Sequence, residues 1–314
     1  MRVLLCPASL KGVLEADAAA AALARGVRAA GGVADELPVA DGGEGTARTL
    51  RAALGGEWRV ADVHDPLGRP LRARWLLLPD GSAVVEAAAA IGLPLLAPEE
   101  RDPLRASSRG LGELVRAALS AEPSGLIIAL GGSATVDGGV GLREVIRELP
   151  VPTTVLCDVL TPLAGAASLF GPQKGASPEE VAILERRLLE DAELQPYADL
   201  PGAGAAGGLG AALASLGGRL VPGAAAVLDL AGFDRRLAAA DFVVTGEGQV
   251  DRTTAEGKAP AEVVRRAARA GVRCVVFGGR VVESVPGAET VALSGDPARA
   301  EADLVELGSR LVQG

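Results

Sequence analysis

The sequence predicts an α/β protein in which one domain is inserted into another. At both chain ends, short apolar runs typical of buried strands alternate with helical patterns, which is the signature of a parallel sheet. Between them, strand-like runs are separated by turn signals, as in a meander. A chain of 314 residues also exceeds the usual single-domain size of about 100–200 residues. We therefore expect residues 1–56 and 235–314 to form one domain with five strands, and residues 57–234 to form a second, mixed α/β domain.

The N-terminal segment reads as strand, helix, strand, loop and helix. Residues 2–6 are a short apolar strand, and Gly31-Gly32 ends the helix that precedes the second strand. Pro38 places that second strand at an edge or near a strand end. The predicted elements here are strand 2–6, helix 14–30, strand 35–39 and helix 46–54.

The remaining elements follow from apolar runs and capping signals. Ser177 stands three residues before Glu180, which is a capping box and marks a helix start. In the middle we predict strands in 58–65, 71–79, 83–89, 125–130 and 153–157 and helices in 110–119, 178–194 and 208–217. In the C-terminal part we predict strands 241–245, 272–277 and 289–293 and helices 259–270 and 299–312.

Composition excludes several classes of protein. Hydrophobic residues make up 49% of the chain and aromatic residues only 2%, so the core is built from Ala, Val, Leu and Ile. The net charge of −9 argues against a nucleic-acid partner. No run approaches about 20 apolar residues, so no membrane span and a cytoplasmic location are expected. Cys6, Cys157 and Cys274 each lie in an apolar run, which predicts buried, unreactive thiols.

Lysine is nearly absent from this arginine-rich chain. The three lysines are Lys11, Lys174 and Lys258, and each stands in a glycine-containing loop. A compact ammonium beside backbone N–H groups suits a phosphate. A single lysine of this kind is more often a solvated surface residue, but all three together favour phosphate binding.

Carboxylates are the second group of candidates. Asp41, Asp158 and Glu247 each come directly after a strand-like run, where open α/β sheets bind their ligands. Carboxylates gathered there could hold Mg²⁺ or accept a proton from a hydroxyl. The alternative is turn chemistry, since Asp-Gly is a common turn pair, and for Asp137 that alternative is preferred.

Glycine-rich turns are the third signal. The sequence Gly131-Gly132-Ser133-Ala134-Thr135 leaves a buried strand and could offer N–H groups and hydroxyls to a phosphate or carboxylate. Its alternative is a tight turn with a helix cap. The GxGxxG match at 202–207 does not follow a strand, so a dinucleotide site and a dehydrogenase are disfavoured. His64, the only histidine, is expected in a surface turn.

Taken together, these loops resemble the type 1 glycerate kinase family. The resemblance runs in order through most of the chain. It is carried by PASLKGVLEA at 7–16, PVADGGEGT at 38–46, DPLGRP at 65–70, VVEAAAAIGL at 84–93, RASSRGLGEL at 105–114, ALGGSATVDGGVGL at 129–142, CDVLTPLAGAASLFGPQKGA at 157–176, PGAGAAGGLGAAL at 201–213 and VVTGEGQVDRTTAEGKAP at 243–260.

The resemblance implies an ATP-dependent kinase that phosphorylates D-glycerate, with 2-phosphoglycerate as the favoured product. It also implies two unlike α/β domains, one flavodoxin-like (Rossmann-type), with the active site in the cleft between them. The implied ligands are ATP, Mg²⁺ and glycerate; a homodimer is left open. From these loops we predict Lys11, Asp41, Asp158 and Lys258 as catalytic residues, with Lys174 as the alternative to Lys258. A subset of Asp41, Asp158 and Glu247 is predicted to hold the metal ion. The implied binding residues are Ser9, Gly42, Gly43, Glu44, Gly131, Gly132, Ser133, Thr135, Lys174, Gly246, Glu247 and Gly248.

The sequence departs from the family pattern at three places. Ala8 and Leu10 stand where the family has Asp and Phe, and Val136 stands where it has Asn. The chain is also shorter than the family between 142 and 155. Two alternatives follow: a non-catalytic protein that binds glycerate or a nucleotide, and a kinase for another small hydroxy acid.

Overall fold

Two sheets organise the computed structural model of the chain, which describes residues 1–251 and 258–313. The five-stranded sheet has the order β11-β10-β9-β1-β2 and is parallel throughout. The six-stranded sheet has the order β3-β4-β5-β6-β7-β8; its first three strands are antiparallel and its last four parallel. The α/β class, the parallel sheet from both chain ends and the meander at the start of the second sheet are confirmed.

The strands are β1 (Arg2–Pro7), β2 (Val33–Glu36), β3 (Glu57–His64), β4 (Pro70–Leu77), β5 (Ser82–Glu86), β6 (Gly125–Ala129), β7 (Thr153–Cys157), β8 (Arg219–Pro222), β9 (Phe242–Val250), β10 (Arg273–Val281) and β11 (Glu289–Ala292). The helices among the described residues are α1 (Ala16–Ala29), α2 (Thr46–Leu54), α3 (Ala87–Ile91), α4 (Arg109–Leu119), α5 (Val140–Val145), α6 (Ala166–Phe170), α7 (Pro178–Glu190), α8 (Ala205–Ser215), α9 (Gly223–Leu230), α10 (Phe233–Leu237), α11 (Ala259–Ala270) and α12 (Ala300–Gln313). Among these residues, no helix combines the length and the apolar character that a membrane span requires.

The chain divides into two compact units. The first unit comprises Met1–Asp41, Arg48–Leu54 and Ala224–Gly314, and the second comprises Gly42–Ala47 and Gly55–Gly223. The second unit thus ends earlier than the expected 234, because α9 and α10 contribute Leu228 and Phe233 to a core cluster of the first unit.

In the first unit, the parallel sheet is buried on both faces. Successive residues of β1 alternate between two apolar clusters: Val3 and Leu5 pack with α1 and α12, whereas Leu4 and Cys6 pack with α9, α10 and α11. This alternation follows from the period of two along a strand. The result is a doubly wound sheet, the arrangement that parallel sheets require because both of their faces must be covered.

In the second unit, the core lies largely between the mixed sheet and its helices. Trp75 of β4 is buried there, together with aliphatic residues of β5, β6, α4 and α8. A second cluster forms around α6, α7 and α8. Cys157 and Cys274 are buried and unpaired, and burial raises the pKa of each thiol to about 12, as expected of unreactive cysteines.

Two predicted strands are corrected. The second strand runs over Val33–Glu36 rather than 35–39; beyond it, the N–H groups of Leu37 and Val39 still donate to Leu5 and Pro7 of β1. Pro38 lies between them, at a position that faces the open edge of the sheet, where a missing N–H group breaks no bond to β1. The run predicted as strand over 83–89 is a strand only to Glu86 and then turns into α3. Consecutive alanines are strong helix formers, which explains that change.

The first unit also depends on a close crossing of α1 and α12. A Cβ atom added to Gly26 would lie 2.0 Å from the carbonyl oxygen of Val305, and one added to Gly308 would lie 2.3 Å from that of Leu23. The two helices therefore touch through their backbones.

Gly26→Ala should lower the free energy of unfolding by about 1–3 kcal/mol, because the new methyl group forces the helices apart. This loss should exceed the gain of about 1 kcal/mol in helix propensity that alanine brings. Thermal and denaturant unfolding measure it. Arg25→Ala, at an exposed position on the same helix, is the control and should cost less than about 1 kcal/mol. Equal stability of Gly26→Ala and the parent would contradict the crossing.

Candidate functional site

The predicted site residues of the first unit lie at one edge of its sheet. The loop Ser9–Lys11 follows β1, and Gly246–Gly248 lie at the end of the β1–β9 pairing. The strand order reverses at this pair, since β2 lies to one side of β1 and β9 to the other. Open α/β sheets bind ligands outside the carboxyl ends of their strands at such a switch point. Asp41 lies shortly beyond Val39, whose N–H group donates to the carbonyl of Pro7 at the end of β1.

Gly246, Glu247 and Gly248 belong to a strand, which corrects the predicted loop. β9 continues to Val250 because it pairs with β10 through Val250 and Val281, well past the end of β1. A Cβ atom at position 246 would lie 2.2 Å from the carbonyl oxygen of Phe277. The glycine therefore permits this extended pairing.

The backbone after β1 packs closely on this extension. The N–H group of Ala8 donates to the carbonyl of Gly246 at 2.8 Å. A Cβ atom on Gly248 would lie 3.5 Å from the Cα of Leu10 and 3.6 Å from the N of Lys11. The Lys11 side chain is exposed. The backbone at Lys11 and Gly248 of β9 are therefore neighbours in the first unit.

An ion pair joins Glu247 and Lys258. Lys258 Nζ donates to Glu247 Oε2 at 3.2 Å, with 35% of the lysine side chain and 14% of the glutamate side chain exposed. Glu247 Oε1 is buried and has no hydrogen-bond partner among the described residues. Buried polar atoms are nearly always satisfied, so this oxygen is a candidate for a ligand or a metal ion.

In the second unit, two glycine-containing loops meet backbone to backbone. The N–H group of Gly131 donates to the carbonyl of Gly42 at 3.2 Å. A Cβ atom on Gly131 would lie 2.6 Å from the Cα of Gly43 and 2.8 Å from Asp158 Oδ2. The loops after β6 and β7 and the segment Gly42–Glu44 therefore converge. Glu44 and Gly132 are exposed at this place.

The loop after β6 is more fully bonded than expected. Its Ala134 N–H group donates to the carbonyl of Ile91, and its Gly132 carbonyl accepts from Leu93 N. With Gly131 N also engaged, at least two N–H groups of this loop are not available to a ligand. The loop after β6 is therefore held in place by the end of α3 and by the turn that follows it.

Lys174 lies inside the second unit and only 4% of it is exposed. Its Nζ donates to the carbonyl of Thr135 at 2.8 Å and to Ser133 Oγ at 3.1 Å. Burial lowers the pKa of Lys174 to about 8, although Asp158 and Asp137 oppose this shift. The lysine thus holds the loop Gly131–Thr135 from within.

The glycine-rich segment 202–208 supports the same loop. Ala206, Gly207 and Gly208 all have positive φ angles inside α8. A Cβ atom on Gly207 would lie 2.2 Å from the carbonyl oxygen of Thr135. The segment that matches GxGxxG therefore packs against the Gly131–Thr135 loop and supports it. It does not follow a strand, as the sequence analysis noted.

Val136 and Asp137 have structural roles. Val136 is 1% exposed and packs with Leu163 and Leu188, so the family's asparagine is replaced by a residue of the apolar core. Asp137 accepts hydrogen bonds from Ser108 N and Oγ and from Gly139 N, as expected for a residue with a structural role in a turn.

The only histidine, His64, is the last residue of β3 rather than part of a turn, and its Nδ1 lies 2.9 Å from Glu113 Oε2.

Glu86 lies beside the segment Gly42–Ala47 and was not among the residues singled out from the sequence. It ends β5, beside β6, and its Oε1 accepts the N–H group of Ala47 at 2.8 Å. Gly45 N–H also donates to this carboxylate. The available signal was an acidic residue at the carboxyl end of a buried strand, within the motif VVEAAAAIGL.

Protein ligands alone do not assemble a metal centre within residues 1–251 and 258–313. No group of three or more His, Cys, Asp or Glu side chains there is placed to hold an ion. In phosphoryl-transfer sites, one or two carboxylates commonly hold Mg²⁺ together with substrate phosphates. Glu247, with its unpartnered oxygen, suits that role.

Comparisons with known proteins agree on one family. The family model described as the glycerate kinase family matches residues 3–149 and 146–295. The glycerate kinase of Bacillus subtilis (strain 168) is 37% identical over 326 residues, which covers 90% of this chain and 85% of that protein. The glycerate 2-kinase of Escherichia coli (strain K12) is 36% identical over 330 residues, which covers 91% and 87%. A crystal structure described as a glycerate kinase 2 of Salmonella typhimurium LT2 has a TM-score of 0.86 at 33% identity and covers 100% of this chain and 97% of that one.

Lys174→Met should change how stability depends on pH. Because the folded protein binds the Lys174 proton more weakly than the unfolded chain, stability from this group rises as pH increases from about 8 towards 10.5. Relative to Lys174→Met, the parent should therefore gain about 2 kcal/mol between pH 7.5 and 10. Urea unfolding at several pH values measures the difference. The control is Arg186→Met, which removes an exposed cation of α7; its stability should change with pH as that of the parent does. The same pH dependence in Lys174→Met and the parent would contradict a buried ammonium.

Proposed function

Because the chain belongs to the glycerate kinase family and is therefore a kinase, we propose that it transfers the γ-phosphoryl group of ATP to the 2-hydroxyl group of D-glycerate. The single observation that carries the proposal furthest is the grouping of Lys11, Glu247 and Lys258 at the switch point of the parallel sheet. Phosphoryl transfer needs in-line positioning and neutralised charge, and little covalent chemistry from the protein. The Lys258 ammonium beside the Glu247 carboxylate, with Lys11 on the adjoining loop, suits that need.

In this proposal, the first unit supplies the cations. Lys11 is exposed and free to follow the phosphate that moves, so it neutralises charge on the transferring group. Lys258 remains beside Glu247 and stabilises the same group. Asp41, at the carboxyl edge of the sheet, accepts the proton that leaves the glycerate hydroxyl. Charge neutralisation is thus assigned to the two lysines and proton transfer to Asp41.

Magnesium fits the carboxylates of the chain. Mg²⁺ prefers oxygen ligands and, when bound, would neutralise the charge of the nucleotide phosphates. Glu247 would hold it through the buried Oε1, and Asp41 and Asp158 are the other predicted ligands.

In the second unit, the Gly131–Thr135 loop cradles a carboxylate or a phosphate. We assign Gly132 and Ser133 to this contact together with Gly42, Gly43 and Glu44. Lys174 stays beneath the loop and adds positive charge without leaving its bonds to Ser133 and Thr135. Thr135 Oγ1 is buried and without a hydrogen-bond partner among the described residues, so it is a further donor for a ligand.

Two observations support the choice of substrate and hydroxyl group. The matched relatives carry the name glycerate kinase, and the Escherichia coli relative is named glycerate 2-kinase. Val136, which together with Ala8 and the shortened segment favoured the non-catalytic alternative, lies in the apolar core and presents no polar group to a ligand. The departure therefore leaves the polar atoms of the loop in place.

The direct test is release of ADP from ATP and Mg²⁺ with and without D-glycerate, with the phosphate position determined by ³¹P NMR. The expected result is glycerate-dependent ADP and 2-phosphoglycerate as the one product. Formation of the 3-phosphate would overturn the regiochemistry. Tight glycerate or nucleotide binding without turnover would point to a binding protein, and turnover with another hydroxy acid alone would overturn the substrate.

Lys11→Ala should lower kcat by about a hundredfold or more and leave the melting temperature unchanged, because the side chain is exposed and acts on the transition state. Steady-state kinetics and thermal unfolding check both. The matched control is Arg28→Ala, an exposed cation of α1 paired with Glu36, for which we expect parental kcat. Near-parental turnover of Lys11→Ala would rule out the assigned role.

Glu247→Gln should raise the Mg²⁺ concentration needed for half-maximal activity by about tenfold, since a neutral amide is a weaker ligand for a hard cation. A magnesium titration of the rate at saturating ATP measures this. Glu283→Gln, at an exposed position after β10, should leave the titration unchanged. An unaltered magnesium requirement in Glu247→Gln would remove Glu247 from the metal site.

A further inference from the structure

Glu86 is an acidic residue that the proposed chemistry does not use. Its carboxylate lies at the carboxyl end of β5 in the second unit and is largely withdrawn from water. It accepts hydrogen bonds from two backbone N–H groups of one loop, those of Gly45 and Ala47. Two amides converging on one carboxylate form a charge-assisted attachment, which is stronger than bonds between neutral groups.

That attachment is one of two points at which the segment Gly42–Ala47 is held within the second unit. At the other point, Gly131 N–H donates to the carbonyl of Gly42, and the backbones of Gly43 and Gly131 touch. Glu44 stands between the two points and is exposed. The orientation of Gly43 and Glu44 therefore depends on both attachments.

The charge on Glu86 is costly. Burial and, to a lesser degree, the nearby Glu44 raise the pKa of this carboxyl group, whereas its backbone hydrogen bonds and Arg74 of β4 lower it; the net result is a pKa of about 7. A neutral side chain could accept an N–H group without this cost. Groups that cost stability are retained where function needs them, so a role beyond stability is indicated.

We propose that Glu86 is a positioning residue for phosphoryl transfer: its carboxylate fixes the amides of Gly45 and Ala47 and so presents Gly43 and Glu44 to the substrate. The inference rests on the proposed function for its kinetic part. Its structural part, the attachment of two amides, stands on the hydrogen bonds alone. Glu86 does not touch the reacting atoms.

Hydrogen exchange measures the attachment without any substrate. In Glu86→Ala the amides of Gly45 and Ala47 should exchange at least tenfold faster than in the parent. In Glu86→Gln, where one acceptor oxygen remains, only one of them should be faster. Glu57→Gln, at the exposed start of β3, is the control and should leave both amides unchanged. Glu86→Gln is also the variant to use if Glu86→Ala fails to fold.

The pH dependence of stability and of activity tests whether Glu86 must be ionised to attach the amides of Gly45 and Ala47. The folded protein binds the Glu86 proton more tightly than the unfolded chain between pH 4.5 and about 7, so stability from this group is lost as pH rises through that range. The melting temperature of the parent relative to Glu86→Gln should therefore fall between pH 5 and 8. With D-glycerate and ATP, kcat/KM of the parent should decline below about pH 7, and the ratio of parent to Glu86→Gln should decline with it.

The outcomes are distinguishable. Unchanged exchange at Gly45 and Ala47 in Glu86→Ala overturns the attachment, whatever the substrate. A constant ratio of parent to Glu86→Gln activity from pH 5.5 to 8.5 overturns the need for an ionised Glu86. No turnover in the parent overturns the proposed function and, with it, the kinetic role of Glu86, while faster exchange at the two amides would still support the attachment.

Discussion

The contact between the backbones of Gly43 and Gly131 is the constraint on which the loops of the second unit depend. No side chain fits between them, and Asp158 closes the same space from the end of β7. The position of each loop is therefore set by the other loop. Gly42, with a φ angle of +94° and a Cβ position 3.0 Å from the Cα of Gly223, extends this close packing to the start of α9.

Two ionisable side chains, Lys174 and Glu86, are withdrawn from water near this contact. Lys174 loses hydration and donates hydrogen bonds to Thr135 and Ser133. Glu86 loses hydration and accepts hydrogen bonds from the N–H groups of Gly45 and Ala47. Lys174 acts on the neighbouring loop through the Thr135 carbonyl and the Ser133 hydroxyl, and Glu86 acts through backbone N–H groups. In the first unit, Glu247 follows a different pattern, since one oxygen is paired with Lys258 and the other is buried without a hydrogen-bond partner among the described residues.

The sequence predicted the fold class and the two sheets because apolar runs, glycine stops and one capping box are local signals. Lys11 and Lys258 stood out because lysine is rare in this chain, and Glu247 because it follows a strand-like run; their roles stay predictions. The sequence could not predict that Lys174 is buried, because the partners Ser133 and Thr135 are far away in the chain. For the same reason it could not assign Glu86 to Gly45 and Ala47. The extension of β9 past Gly246 was missed because it depends on pairing with β10.

The near absence of aromatic residues has an experimental consequence. Both tryptophans of the chain, Trp58 and Trp75, belong to the second unit, and Trp75 is buried in its core. Intrinsic tryptophan fluorescence therefore reports the unfolding of the mixed sheet alone, whereas far-ultraviolet circular dichroism reports both sheets. Superimposable denaturation curves from the two probes would mean that the units unfold together, and separated curves would give the stability of each unit without cutting the chain.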